Sequence, residues 1–137
     1  MTELTRSVEV LRPPEIVWEV MDMRRWPDIS KIFSEIMPAN APITEGANLT
    51  IVAGPGEEKV RYAAEITAWE APRRLSYRRS GGPLPGSSDW HLTPTARGTM
   101  ITYANKYDHD LAPPVQASIC RAMEKFLEEL QRVAQEE

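Results

Sequence analysis

Residues Arg12–Pro27 read RPPEIVWEVMDMRRWP, and this stretch decides the fold because it carries the signals of two short helices. Pro13 and Pro14 pre-set the backbone for a first helical turn, and Glu15 interacts favourably with the helix dipole there. The apolar residues that follow form one buried stripe, made of Ile16, Val17, Val20 and Met21. The stretch therefore predicts an amphipathic helix that opens at the double proline.

A second short helix is predicted from Trp26 to Phe33. Trp18 lies off the stripe of the first helix, and we expect it to pack against a neighbouring edge of a sheet. Neither helix can be stable alone, because isolated helices shorter than about 12–15 residues are marginal in water. Both helices must therefore lie against a sheet.

Alternation of apolar and polar residues predicts one strand before these helices and six strands after them. The first strand is Leu4–Leu11. The later strands are Ser34–Pro38, Ala47–Ala53, Lys59–Trp69, Arg73–Arg79, Ser88–Thr93 and Thr99–Tyr107. Proline- and glycine-rich connections separate several of them, at Pro38–Gly46, Gly54-Pro55-Gly56 and Gly81–Gly86. Consecutive strands with short connections indicate an antiparallel meander.

A long helix is predicted from Ala112 to Gln135, and at 1.5 Å per residue it spans roughly 36 Å, enough to cross a sheet. Its apolar face consists of Val115, Ile119, Met123, Phe126, Leu127, Leu130, Val133 and Ala134. The order of the elements predicts an α+β fold with the helices on one face of the sheet. Where a curved sheet and a helix diverge, an internal cavity can open.

Composition narrows the class of protein. At 137 residues the chain suits one domain, over residues 1–137. One cysteine, Cys120, leaves no disulfide within the chain, and no signal peptide or membrane-spanning run is evident, so we expect a soluble cytoplasmic protein without membrane insertion. A net charge of -4 argues against nucleic acid as a partner. The chain has only two histidines and no phosphate-binding or dinucleotide motif, so we expect neither a bound metal nor a cofactor.

Several short motifs in this order resemble the helix-grip superfamily of START-like (SRPBCC) proteins, in its bacterial polyketide cyclase/dehydrase-like branch. The matching residues are Pro13-Pro14-Glu15, Val17-Trp18, Asp22, Trp26-Pro27, Ile66, Pro72-Arg73-Arg74-Leu75, Trp90-x-Leu92-x-Pro94, Gly98-Thr99, Leu127 and Leu130. The resemblance implies a curved antiparallel sheet of about seven strands wrapped around the long C-terminal helix. It also implies a hydrophobic small-molecule ligand, and it allows a homodimer.

Strand alternation predicts which side chains face the helix and line the cavity. On the strands they are Tyr62, Ala64, Ile66, Ala68, Leu75, Tyr77, Arg79, Ser88, Trp90, Leu92, Thr99, Ile101, Tyr103, Asn105 and Tyr107. Trp26, Phe33, Ile119 and Met123 add lining from the helical segments and their flanks. A core role is favoured over a ligand-binding one for Trp90 and Ile101. A place in the pocket is favoured for Tyr103, Asn105 and Tyr107. Aromatic walls with a few polar tips suit a flat, oxygenated, partly apolar ligand.

Arg79 has two interpretations of equal weight. An inward guanidinium can orient a carboxylate or stabilise a developing enolate. Alternatively, Arg79 bridges to an acidic neighbour at the cavity mouth, such as Asp89 or Asp108. Arg74 and Arg78 alternate with it and are predicted to face solvent.

His109 shares the inward parity of Asn105 and Tyr107 and lies between two aspartates, so it is a candidate general base. It also lies where the last strand gives way to a loop, and an exposed loop histidine is the favoured interpretation. His91, between Trp90 and Leu92, is predicted to face solvent.

Two functions follow from this sequence. The resemblance implies an aromatase/cyclase-like enzyme that folds a poly-carbonyl chain for aldol condensation and dehydration. Arg79 would then polarise carbonyls together with Tyr77, Tyr103 or Tyr107. The alternative is a non-catalytic carrier, sensor or sequestering protein for a lipid-like or aromatic ligand.

Overall fold

The computed structural model describes residues 1–38, 42–54 and 56–137. The strands are β1 (Thr2–Val10), β2 (Phe33–Met37), β3 (Asn48–Ala53), β4 (Val60–Glu70), β5 (Arg74–Ser80), β6 (Gly86–Pro94) and β7 (Thr99–Tyr107). The α-helices are α1 (Pro14–Val20), α2 (Trp26–Ile29) and α3 (Pro113–Glu136), and a 3₁₀ turn covers Met23–Arg25. The predicted turn at Gly54-Pro55-Gly56 and the Pro38–Gly46 connection include Pro55 and residues 39–41, which lie outside the described residues.

Within the described ranges, seven strands form one antiparallel sheet in the order β1-β7-β6-β5-β4-β3-β2. From β2 to β7 each strand pairs with the next along the chain, and β1 lies beside β7 at one edge. The helix α3 packs against β1, and α1 and α2 contact α3 in turn. This arrangement confirms the predicted helix-grip fold.

The second short helix is shorter than the sequence predicts, because it ends at Ile29 and Phe33 already begins β2. Ser30 adopts an extended backbone, and its hydroxyl accepts a hydrogen bond from the Ile32 N–H at 3.3 Å. Such a local bond offers the backbone an alternative to the next helical turn. The 3₁₀ turn before it is capped by Asp22, whose carboxylate accepts from the Arg24 N–H at 3.0 Å.

A β-bulge in β4 reverses the predicted direction of Ala68. The register shifts between Ile66 and Ala68, so that Ala68 pairs with Ser76 on the convex face of the sheet. The prediction that Ala68 lines the concave face is therefore wrong, since the extra residue inverts the alternation beyond it. Trp69 points to the concave side instead and packs on Trp18 at 4.9 Å between ring centroids. Trp18 thus meets an inner strand rather than an edge of the sheet.

An aromatic cluster joins the helices to the sheet. Trp26 of α2 contacts Phe33, Trp90 and Phe126, with ring centroids 5.0, 5.5 and 5.2 Å away. Tilted and edge-on contacts of this kind stabilise the core beyond the area that they bury. On α3 the buried residues run from Met123 to Ala134, whereas Val115 is 40% exposed. Val115 lies in the first turn of α3, and its predicted place in the buried face is wrong.

None of the helices described is long and apolar enough to cross a membrane.

Candidate functional site

A cavity of about 280 Å³ lies between the concave face of the sheet and the N-terminal half of α3. The helix contributes Ser118, Ile119, Ala122, Met123 and Phe126 to one wall. The facing strands contribute Tyr62, Arg79, Tyr103, Asn105 and Tyr107. Residues Gly82, Pro83 and Leu84 of the β5–β6 loop, together with Ile32, Phe33, Ala53, Gly54, Glu58 and Val60, complete it. This volume is close to the lower limit for small-molecule sites.

Eight of the side chains proposed from the sequence line this cavity: Phe33, Tyr62, Arg79, Tyr103, Asn105, Tyr107, Ile119 and Met123. Six others are buried in the packed core around it: Trp26, Ala64, Tyr77, Ser88, Trp90 and Ile101. His109 is exposed in the loop after β7. The binding and catalytic roles assigned to these residues stay predictions. The structure shows where each side chain lies relative to the cavity.

Arg79 lies on the concave side and is only 7% exposed. Its Nη1 donates to the Leu84 carbonyl at 2.7 Å, and its Nη2 donates to the Lys106 and Ser87 carbonyls at 2.7 and 3.2 Å. The guanidinium also lies over the ring of Tyr107, with its carbon 4.5 Å from the ring centroid. Neutral carbonyl oxygens and an aromatic face therefore hold the positive charge of Arg79 at the cavity wall.

The proposed bridge from Arg79 to Asp89 or Asp108 does not form. Asp89 pairs with Arg74 at 3.2 Å, and Asp108 accepts from the guanidinium of Arg78. Both pairs lie on the convex side or at the rim, as expected for the alternating arginines. The Nε–H of Arg79 is buried and has no hydrogen-bond partner among the residues that the structure describes.

Gly86 makes the Arg79 arrangement possible. A Cβ atom at this position would lie 1.9 Å from the Lys106 carbonyl oxygen and 2.9 Å from Nη2 of Arg79. Real atoms do not approach so closely, so the guanidinium and the β6–β7 ladder both require the absence of a side chain here.

A polar cluster continues from the cavity into the core. Asn105 is 4% exposed and lines the cavity, and its Oδ1 accepts a hydrogen bond from the Ser88 hydroxyl at 2.5 Å. Tyr103 lies beside it and stacks on Trp90, with centroids 3.7 Å apart and an angle of 11° between planes. The stack fixes the Tyr103 ring, and the hydrogen bond fixes the Asn105 amide.

All four tyrosines of the chain belong to this region. Burial raises the pKa of Tyr62, Tyr77, Tyr103 and Tyr107. For Tyr103 a hydrogen bond from Asn105 opposes this effect in part, and for Tyr107 the charge of Arg79 does so. At neutral pH these phenols are therefore protonated, and they act as hydrogen-bond donors and acceptors rather than as bases.

A spectrophotometric titration tests these raised pKa values. Free tyrosine ionises near pH 10, and we expect the native protein to show no phenolate absorbance at 295 nm at that pH. The pKa of each phenol is higher in the folded state than in the unfolded state. The stability that the protonated phenols contribute is therefore fully present below about pH 10 and is lost as the pH rises further. Ionisation should therefore coincide with unfolding.

The control for this titration is the same protein in guanidinium chloride, which should titrate near pH 10. A native protein whose tyrosines titrate with a midpoint near 10, while its circular dichroism stays unchanged, would show that the cluster is open to water.

His109 does not reach the cavity. The neighbouring Asp108 is paired with Arg78, and Asp110 is paired with the N-terminal amine at 2.5 Å. The structure therefore supports the exposed-loop interpretation of His109 and not the general-base one. No group of three or more His, Cys, Asp or Glu side chains in the described ranges is arranged to hold a metal ion.

Nearly the whole chain matches one known protein family. The family described as polyketide cyclase / dehydrase and lipid transport matches residues 1–135. The chain belongs to this family. No protein of curated function matches it.

Solved structures of three proteins share the fold of this polyketide cyclase/dehydrase family member. The Zhui aromatase/cyclase from Streptomyces sp. R1128 is 16% identical with a TM-score of 0.81, covering 98% of this chain and 93% of its own. The protein TTHA0849 from Thermus thermophilus is 19% identical with a TM-score of 0.81, covering 97% of each chain. Ara h 8.0201 is 13% identical with a TM-score of 0.79, covering 99% of each. At these identities the likeness is one of fold.

Part of the cavity wall in this family member was not predicted from its sequence. Ala122 and Ser118 lie on α3 beside Ile119, Met123 and Phe126, and their small side chains leave the space that a ligand would occupy. Helical spacing could have found Ala122, which is three residues from Ile119 and four from Phe126. The loop residues Gly82–Leu84 carry no periodic signal, and only the folded chain places them at the cavity.

Proposed function

We propose that the protein binds a planar, largely apolar, oxygenated small molecule in the cavity under α3. The observation that carries this proposal is Arg79, a buried cation with no carboxylate partner among the described residues, in a cavity walled mostly by apolar and aromatic side chains. The other polar side chains in its lining are Glu58, Asn105, Ser118 and the tyrosines. Apolar rings would lie against Ile119, Met123 and Phe126. An oxygen of the ligand would lie near Arg79 and the hydroxyl groups of the cavity tyrosines.

A second candidate function is catalysis of cyclisation or aromatisation on a bound poly-carbonyl compound. The family assignment and the donors around the cavity favour it. Solvent water would take the proton from the carbon beside one carbonyl, and Arg79 would stabilise the enolate oxygen that results. The enolate carbon would attack a second carbonyl, whose oxygen would take a proton from Tyr103 or Tyr107 and later leave as water, while solvent returns the proton to the phenol. Holding two carbons of one chain in contact would supply much of the acceleration. Carriage of an unchanged ligand is the simpler proposal, because burial raises the pKa of the cavity phenols and none of them can act as the base that removes a proton from the ligand.

Filling the cavity tests the binding proposal. We expect Ala122→Phe to lower the affinity for an aromatic ligand by about tenfold or more, since the new ring occupies space that the ligand needs. The measurement is isothermal titration calorimetry with 2-ethylnaphthalene as the probe. Ala117→Phe places the same side chain on the exposed side of the same helix and should bind as the wild type does. Equal affinity of both variants and the wild type would contradict a binding site in this cavity.

Mass spectrometry separates carriage from catalysis. A linear poly-carbonyl compound would be incubated with the wild type and with Arg79→Ala, and the mass of the recovered compound would be measured. Loss of one or more waters that requires the wild-type protein supports the enzymatic function. Recovery of the compound unchanged from a complex seen by native mass spectrometry supports the carrier.

We further propose that the protein acts in the cytoplasm with no nucleic acid partner, and that it forms a homodimer. The single cysteine and the net charge of -4 support the first two proposals. The homodimer rests on the family alone, and the mass of the intact protein in native mass spectrometry tests it.

A further inference from the structure

The amide of Asn105 is a constrained polar group in the cavity wall. It is 4% exposed, and its Oδ1 accepts from the hydroxyl of Ser88, which lies behind the wall and is 1% exposed. Because an amide has its acceptor on one side and its donors on the other, a bond at Oδ1 decides which side faces the cavity. The Nδ2–H donors are therefore directed away from Ser88.

A second donor lies near Asn105 in the cavity wall. The buried Nε–H of Arg79 has no partner among the described residues, because the other hydrogen bonds of this guanidinium use Nη1 and Nη2. Buried donors of this kind favour an acceptor that can satisfy them.

We infer that the inner end of the cavity selects a ligand oxygen that only accepts hydrogen bonds, a ketone or quinone carbonyl, in preference to a hydroxyl group. This inference rests on the proposed binding function and narrows its ligand class. The two lone pairs of a carbonyl oxygen can accept one hydrogen bond from Asn105 and one from Arg79. The carbonyl group brings no hydrogen-bond donor of its own. A hydroxyl group brings a donor into a place already occupied by donors, and a buried donor without a partner is costly.

Ser88 is a positioning residue at this end of the cavity. It does not line the cavity, and it acts by holding the Asn105 amide with its donors toward the ligand. Its removal should therefore change the preference for one ligand over another rather than the affinity for apolar rings. A merely structural role for Ser88 would lower the affinity for every ligand alike.

Three naphthalenes of nearly equal size test the inference by titration calorimetry: 2-acetylnaphthalene, 1-(2-naphthyl)ethanol and 2-ethylnaphthalene. We expect the wild type to bind the ketone about tenfold more tightly than the alcohol or the hydrocarbon, the ratio that one or two net hydrogen bonds supply. Ser88→Ala should reduce this ratio to about threefold or less while the hydrocarbon affinity stays within about twofold. Ser80→Ala, an exposed serine on β5, should keep the wild-type ratio.

Asn105→Leu is the second variant, and it should abolish the preference for the ketone while still binding the hydrocarbon. Wild-type affinity for the alcohol equal to or above that for the ketone would overturn the inference, as would an unchanged ratio in Ser88→Ala. Failure of all three compounds to bind the wild type would contradict the proposed binding function itself, and the inference with it.

Discussion

Gly86→Ala is expected to destabilise the protein by about 3 kcal/mol or more, because the added methyl group would clash with backbone atoms, and shifts of side chains cannot relieve that clash. The new Cβ would lie 1.9 Å from the Lys106 carbonyl oxygen. That carbonyl belongs to β7, directly across from β6, so it cannot move away without breaking the pairing of the two strands. A thermal melt should show a midpoint lower by about 10 °C or more.

The same substitution should also impair the cavity, since the Cβ would lie 2.9 Å from Nη2 of Arg79. Gly56→Ala is the matched control, because a Cβ at Gly56 meets nothing within 4 Å in the described structure. A Gly86→Ala protein that melts within about 2 °C of the wild type would show that β6 and β7 do not approach as closely as described.

Arg79→Met should lower the affinity for 2-acetylnaphthalene by about tenfold or more and destabilise the fold by about 2–3 kcal/mol. The methionine side chain has a similar length but no donor, so the Leu84, Ser87 and Lys106 carbonyls lose the hydrogen bonds of a charged partner. The bond to Leu84 also ties the β5–β6 loop to the sheet, and that loop forms part of the cavity wall. Calorimetry with the ketone and a denaturant titration measure the two effects.

Arg78→Met is the control, since the neighbouring guanidinium is exposed and pairs with Asp108 at the surface. Surface ion pairs contribute about 0–1 kcal/mol, so this variant should fold and bind as the wild type does. Arg79→Lys should not restore binding, because an ammonium group cannot reproduce the planar set of donors. Equal effects of the two methionine substitutions would show that Arg79 has no special role in the site.

The sequence predicted the fold closely because the strongest signals are local. The double proline begins α1 as expected, and the alternation in Thr99–Tyr107 matches β7 residue for residue. Errors arose where a single residue changes the geometry. The bulge near Thr67 inverts Ala68, and the Ser30 hydroxyl ends α2 early. Neither event alters the apolar pattern, so neither could be derived from it.

The sequence predicted which face of the sheet carries the candidate site, but not which residues of that face reach the cavity. Alternation placed Arg79 and Tyr77 on the same face, yet Arg79 lines the cavity while Tyr77 is covered by the core. That difference depends on how far the helix stands from each strand, which a strand pattern does not encode. The three carbonyl partners of Arg79 come from the β5–β6 loop, β6 and β7, and only the folded chain brings them together.

The most direct test of a ligand site beneath α3 is the nuclear Overhauser effect between a bound ligand and methionine methyl groups. Met123 lines the cavity, whereas Met100 lies on β7 and pairs with Glu9 and Thr93 on the other face. With ¹³C-methyl methionine and 2-acetylnaphthalene, we expect contacts from the ring protons to the Met123 methyl and none to Met100. Contacts to Met100, or to no methionine in a complex that calorimetry shows to be saturated, would contradict a ligand site in this cavity.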